Sequence, residues 1–241
     1  MRTNLLLSAA IAALTGPAFA ADLPARMPVK APVVAAPVFI WTGCYVGAHI
    51  GGGFGQTKLT DTTGFVTFAG SGPTINTSGF LGGGQVGCNY QFSPSWVVGA
   101  EGEFSASDIK GDSSFLDAGF FPATAHAKTD WLTSATARLG YTWDRWLVYA
   151  KGGAAWAHDK FEWAEAGFFD ATATESRTGW TVGAGIEWAF APNWSTRLEY
   201  DYYDFGTLTV TDSVSGFSVD SKNTIHTVKA GVNYRFLGGG Y

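Results

Sequence analysis

Ten charged side chains occupy positions where ion-pair or acid–base chemistry could be staged: Glu101, Glu103, Arg138, Lys151, Glu187, Arg197, Glu199, Asp201, Lys229 and Arg235. Glu101 and Glu103 stand two residues apart, as a pair of carboxylates would for general acid and base work. No cleft-forming segment surrounds them, so structural ion pairing is the better reading. The four histidines are His49, His126, His158 and His226. A lipid-modifying hydrolase would need a His/Ser/acid set, yet His126 is followed by Ala127 and Lys128, and no His-x-Ser spacing occurs. Gly82 to Gly87 match G-x-G-x-x-G, but a dinucleotide site requires a helix directly afterwards, and here the alternating pattern runs on through Tyr90 and Phe92. With only Cys44 and Cys88, a cysteine metal centre is excluded by count. No metal, no cofactor and no enzyme activity is expected.

The elements that carry these residues are strands. Charged residues make up 15% of the 241 residues, against about 25% in an ordinary soluble domain. There are 32 Gly, 10 Trp, 9 Tyr and 18 Phe, and the net charge is −5 with no Lys/Arg cluster. That balance argues against a disordered chain and against nucleic-acid binding. Residues 1–20 read as a signal peptide: Arg2, an apolar run from Leu5 to Leu14, and an A-x-A site at Ala18-Phe19-Ala20. Residues 21–40, with Pro24, Pro28, Pro32 and Pro37, read as an extended periplasmic leader. Peptidoglycan binding is the alternative to a plain spacer.

From Trp41 onward the hydrophobic period is two. Phe80, Gly82, Gly84, Val86, Cys88, Tyr90 and Phe92 share one face, while Gln85, Asn89 and Gln91 take the other. The same test predicts eight strands, near 42–54, 79–92, 95–107, 128–143, 146–158, 178–190, 194–205 and 225–236. Each is long enough to cross a bilayer as a tilted strand of about 9–11 residues. Tight connections at Ser93-Pro94-Ser95, Asp144-Arg145 and Ala191-Pro192-Asn193 alternate with long ones near 55–78, 108–127, 159–177 and 206–224. Trp96, Trp143, Trp146, Trp188 and Trp194 sit beside the tight turns, and Trp131, Trp156 and Trp180 near the long loops. Short turns, long loops and two aromatic girdles predict an all-β fold: an eight-stranded antiparallel up-and-down transmembrane β-barrel in the outer membrane over 41–236, with a tail at 237–241.

The segment Trp41-Thr42-Gly43-Cys44-Tyr45-Val46-Gly47 and the ending Gly231-Val232-Asn233-Tyr234-Arg235-Phe236 resemble the alphaproteobacterial outer-membrane "porin family" or surface-antigen family, whose members resemble the OmpA transmembrane domain. The resemblance implies a monomeric, OmpA-like barrel of Gram-negative bacteria. Cys44, where an aromatic is more usual, and the tail after Phe236 depart from that pattern.

On this barrel the ten charged residues face the lumen, five negative and five positive. Setting Trp96 opposite Trp143 places Glu101 opposite Arg138; setting Phe190 opposite Trp194 places Glu187 opposite Arg197. Eight strands enclose space only for side chains, so the paired lumen reads as a plug. A narrow channel for small or hydrophobic solutes is the first alternative, and a lipid-modifying barrel enzyme the second. Cys44 and Cys88 face lipid near the periplasmic end. They are either disulfide-bonded or two small apolar side chains. Residues 117–125 echo residues 165–173, which puts Phe120, Phe121, Phe168 and Phe169 in two loops as a candidate patch for an extracellular ligand or host surface. Gly231, Tyr234 and Phe236 resemble the terminal signal read by the barrel-assembly machinery. The remaining partners expected are outer-membrane lipid and lipopolysaccharide, with structural, surface-antigen or adhesion-like roles.

Overall fold

The computed structural model describes residues 39–61, 74–116, 122–165, 169–211 and 218–236. The expected signal peptide, almost all of the expected leader and residues 237–241 lie outside them. Eight strands follow one another in chain order: β1 (Gly43–Asp61), β2 (Thr74–Ser93), β3 (Trp96–Leu116), β4 (Pro122–Trp143), β5 (Trp146–Glu165), β6 (Phe169–Trp188), β7 (Trp194–Thr211) and β8 (Ser218–Arg235). Every sequential pair is antiparallel, and β1 pairs with β8, so the sheet closes into a barrel. Closure satisfies the backbone of every strand, which hydrocarbon requires.

Alternation fixes which side chain goes where. Phe80, Ile50 and Tyr90 point outward and are exposed, whereas Gln85, Glu101 and Asp201 point inward and are buried. The band between the girdles runs from Trp194 to Tyr202 on β7 and from Trp146 to Trp156 on β5. At a rise of about 3.4 Å and a tilt near 40°, those 8 to 10 residues span about 21–26 Å. The inner girdle is knitted by Trp146 on Trp188 (ring centroids 5.8 Å apart) and Trp194 on Tyr234 (5.0 Å). The outer one is knitted by Trp131 on His158 (5.5 Å) and Trp180 on Tyr202 (5.5 Å).

Asp144, at φ 53°, turns the chain between β4 and β5; a short Asp side chain tolerates this left-handed region. The strands reach further outward than the period-two reading places them. β6 begins at Phe169 rather than near 178, and β4 at Pro122 rather than near 128. Much of the four long connections is therefore hairpin. Beyond the outer girdle the described outward residues include Gln56, Asn76, Ser78, Lys110, His126 and Lys128, and the apolar signal that marks a lipid-facing strand is gone.

Candidate functional site

Nine of the ten charged residues converge at membrane depth. Arg197 on β7 reaches across the lumen to β3, with Nη1 2.6 Å from Glu101 Oε2 and Nη2 3.1 Å from Glu103 Oε2. Lys151 on β5 lies 2.6 Å from Glu199, 3.3 Å from Asp201 and 3.5 Å from Glu101. Lys229 on β8 pairs with Glu103, and with Asp201 at 2.6 Å. All these side chains are buried. Each charge therefore has several opposite partners, the condition under which buried ions are tolerated.

Two tyrosines complete the centre. Tyr45 lies opposite Gly87 and donates to Glu101 Oε2 at 2.6 Å. Tyr149 lies opposite Gly185 and donates to Glu199 Oε2 at 2.7 Å. A Cβ at Gly87 would collide with the Tyr45 hydroxyl, and one at Gly185 would stand 2.5 Å from the Tyr149 hydroxyl. Both rings lie flat in the lumen only because glycine is beneath them. Arg138 is held between the two rings, 4.7 and 5.0 Å from their centroids, while its Nε donates to Asn89 at 2.8 Å.

One expected pairing is corrected. Arg138 stands opposite Gly99, and Glu101 opposite Thr136. β3 and β4 pair out to Leu116 and Pro122 with a register shift between Ala106 and Ile109, and the register at Glu101 is displaced by two from that expected. The parity is unchanged, and Arg138 Nη1 still lies diagonally 3.7 Å from Glu101. Glu187 is opposite Arg197 as expected, but the two are not bonded. Arg197 is drawn to β3, while Glu187 accepts from Ser195 at 2.5 Å and Asn233 at 3.0 Å, with Arg138 3.6 Å away.

Arg235 does not join the network, because it is the last lumen residue of β8, six positions below Lys229. There it donates to the Ile40 carbonyl at 2.7 Å and covers the rings of Phe39 and Trp41. Trp41 is 0% exposed and packs with Val97, Leu147, Tyr149 and Ala189. At the other end of the network, Leu81, Ile109, Leu132, Ala155, Ala157, Tyr203, Phe205 and Ile225 form a second apolar layer inside the lumen. The charges are thus enclosed between two apolar layers, one at the level of each girdle.

Neither layer is legible in the sequence, nor are the individual tyrosine–glycine pairs, because which strands meet across the lumen is fixed only by the register. Trp41 stands just before the expected first strand and shows no sign of its burial. His49 is a lumen residue bonded to Gln85 at 2.7 Å and Ser105 at 2.8 Å. Register, not sequence spacing, brings Ser176 Oγ 3.2 Å from His158 Nδ1 on the outer face. The oxygens of Glu101, Glu103 and Glu199 lie within 4.8 Å of one another, a spacing that suits a cation, but Arg197, Lys151 and Lys229 already occupy that space.

Cys44 and Cys88 are directly opposed on β1 and β2 and form a disulfide. Gly231 lies opposite Arg197 and His49. Tyr234 faces outward against Trp194, and the Phe236 N–H donates to the Cys44 carbonyl at 3.1 Å. Phe120, Phe121 and Phe168 lie outside the described residues; Phe169 opens β6, paired with Glu165.

The family model of the outer membrane protein beta-barrel domain matches residues 6–236. The chain belongs to this family. It is 35% identical over 241 residues to a 31 kDa outer-membrane immunogenic protein of Brucella melitensis, covering 97% of this chain and 99% of that one. It is 29% identical over 237 residues to a 25 kDa outer-membrane immunogenic protein of Brucella abortus (98% and 99% covered). A 22 kDa outer membrane protein of Rhizobium leguminosarum is 29% identical over 205 residues (83% and 80% covered). Among solved structures, Neisserial surface protein A is similar at 14% identity and TM-score 0.40, covering 81% of this chain and 98% of that one. The family is an outer-membrane one, and the protein is an outer-membrane β-barrel.

Proposed function

We propose that this barrel is a sealed, surface-displayed protein of the outer membrane, with a structural and antigenic role, and neither an open pore nor an enzyme. One observation carries the reading: a multiply paired charge network fills the lumen at membrane depth and is closed at both ends by apolar layers. A conducting path would have to separate several ion pairs together and wet both layers. The names of the Brucella relatives favour the antigenic role. The outer hairpins are the parts that would meet an extracellular ligand or host surface, and the sequence echo of 117–125 with 165–173 makes Phe120, Phe121, Phe168 and Phe169 the candidate patch. Against an enzyme, the one His–Ser contact on the lipid face, His158 with Ser176, has no carboxylate bonded to the ring among the described residues, and the ring stacks on Trp131. The barrel acts as a monomer inserted by the barrel-assembly machinery.

Liposome swelling tests the sealed lumen. Vesicles carrying the folded protein should swell in small sugars no faster than empty vesicles. Swelling that scales with the amount of protein contradicts the reading.

A further inference from the structure

Register places three lysines in one row on the outer face. Lys110 is opposite Lys128, and Lys128 is opposite Lys160, on the adjacent strands β3, β4 and β5. Directly opposed like charges destabilise a sheet, so this row calls for a compensating anion. Asp108 and Asp130 compensate in part. Lys110 lies 3.1 Å from Asp108, Lys128 3.6 Å from Asp108 and 3.2 Å from Asp130, and Lys160 2.7 Å from Asp130. Among the described residues, three ammonium groups thus share two carboxylates. A third carboxylate nearby, Asp112, is taken by His126 at 2.5 Å.

The aspartates lie at the register shifts of β3 and β4, one step nearer the membrane than the lysines. They draw the ammonium groups down towards the bilayer. Hydrogen bonding with Lys110 holds Asp108 below its ordinary value, and hydrogen bonding with Asp130 raises Lys128 above its own, so both keep their charge. Directly below the row, Trp131 stacks on His158, with Phe104 6.3 Å from Trp131. Lys110 stands 14 residues above Trp96, which puts its Cα about 10 Å beyond the apolar band. A lysine pointing down from there brings its ammonium to the level of lipid headgroups.

We propose that Lys110, Lys128 and Lys160 bind the phosphate of a phosphorylated glycolipid in the outward-facing leaflet, whose acyl chains lie against Phe104 and Trp131. The cation row matches a phosphate monoester, and the aromatic floor continues the lipid-facing belt. The inference rests on the outer-membrane placement and not on the sealed lumen, so neither reading falls with the other.

The test uses the full-length folded protein in detergent micelles. Native mass spectrometry measures binding of monophosphoryl lipid A and of the same lipid with its phosphate removed. The parent should prefer the phosphorylated lipid, and K110Q/K128Q/K160Q should weaken that binding roughly a hundredfold, down to the level of the dephosphorylated lipid. K58Q/K222Q, which removes an opposed lysine pair on the far seam of the barrel, should change it less than about twofold. Heat-modifiable gel mobility checks that each variant is folded. Should the triple variant fail to fold, K128Q alone should weaken binding about fivefold. Parent-like affinity in the lysine variants, equal loss for both lipids, or displacement of the lipid by millimolar inorganic phosphate would each overturn the assignment.

Discussion

The two halves of this barrel are built to opposite rules. At membrane depth the outer face is Leu198, Val182 and Phe80, and the lumen is Glu101, Arg197 and Lys229. At the outer girdle the lumen turns to Leu81, Ile109, Phe205 and Ile225, and beyond it the outer face turns to Lys110, Lys128 and Asp130. The strands do not change; the solvent does. In hydrocarbon, polar side chains are best placed inside, where each can find a partner, and in water the usual burial of apolar surface returns. The lower half is therefore held by ion pairs within a closed sheet. The upper half packs like a small soluble barrel, with a polar tier further out where Asp159 accepts from Thr129 at 2.6 Å and Asn223 at 3.1 Å.

The largest effect should come from removing a charge in the lower lumen. Arg197→Met takes the guanidinium from between Glu101 and Glu103 and leaves the buried network one positive charge short, which should lower stability by about 3–5 kcal/mol, read from urea unfolding in lipid vesicles. A loss below about 1 kcal/mol would mean the network is solvated, and the two halves would no longer differ in kind.

Next comes the disulfide, which staples the periplasmic end only. Its ring spans a sequence separation of 44, for which chain entropy gives about 3–4 kcal/mol. Reduction should lower the urea midpoint of the parent and leave that of a Cys44→Ser/Cys88→Ser variant unmoved.

The outer faces can be compared with one substitution at two heights. Leu198→Arg, midway between the girdles, should cost about 2–4 kcal/mol, whereas Asn76→Arg, above the boundary, should cost no more than about 1 kcal/mol. Equal costs would place the bilayer edge elsewhere. The smallest effect is expected from Asp130→Asn in the exposed lysine row, which should leave the unfolding midpoint within error, because exposed ion pairs contribute little.

Much of the lower half was legible in the sequence, for the same reason that it is stable. Lipid demands an uninterrupted alternation, so Val182, Ala184, Ile186 and Trp188 announce a strand and its face. The outer extensions were hidden because water makes no such demand, and Thr172 to Ser176 of β6 read equally well as loop. The register at Glu101 is not legible because β3 and β4 pair out to Leu116 and Pro122, in a stretch with no lipid-facing alternation, and a register shift between Ala106 and Ile109 alters the count. The contact of Arg235 with Trp41 is not legible because it spans almost the whole chain and exists only after β8 has closed on β1.

The account stands most directly on whether the lumen conducts. Single-channel recording of the purified, folded protein in planar bilayers should show no steady unitary current. The Arg197→Met variant, in which Glu101 and Glu103 lose their guanidinium, should show brief openings or raised leak. A stable unitary conductance in the parent protein, unchanged by that substitution, would contradict the account.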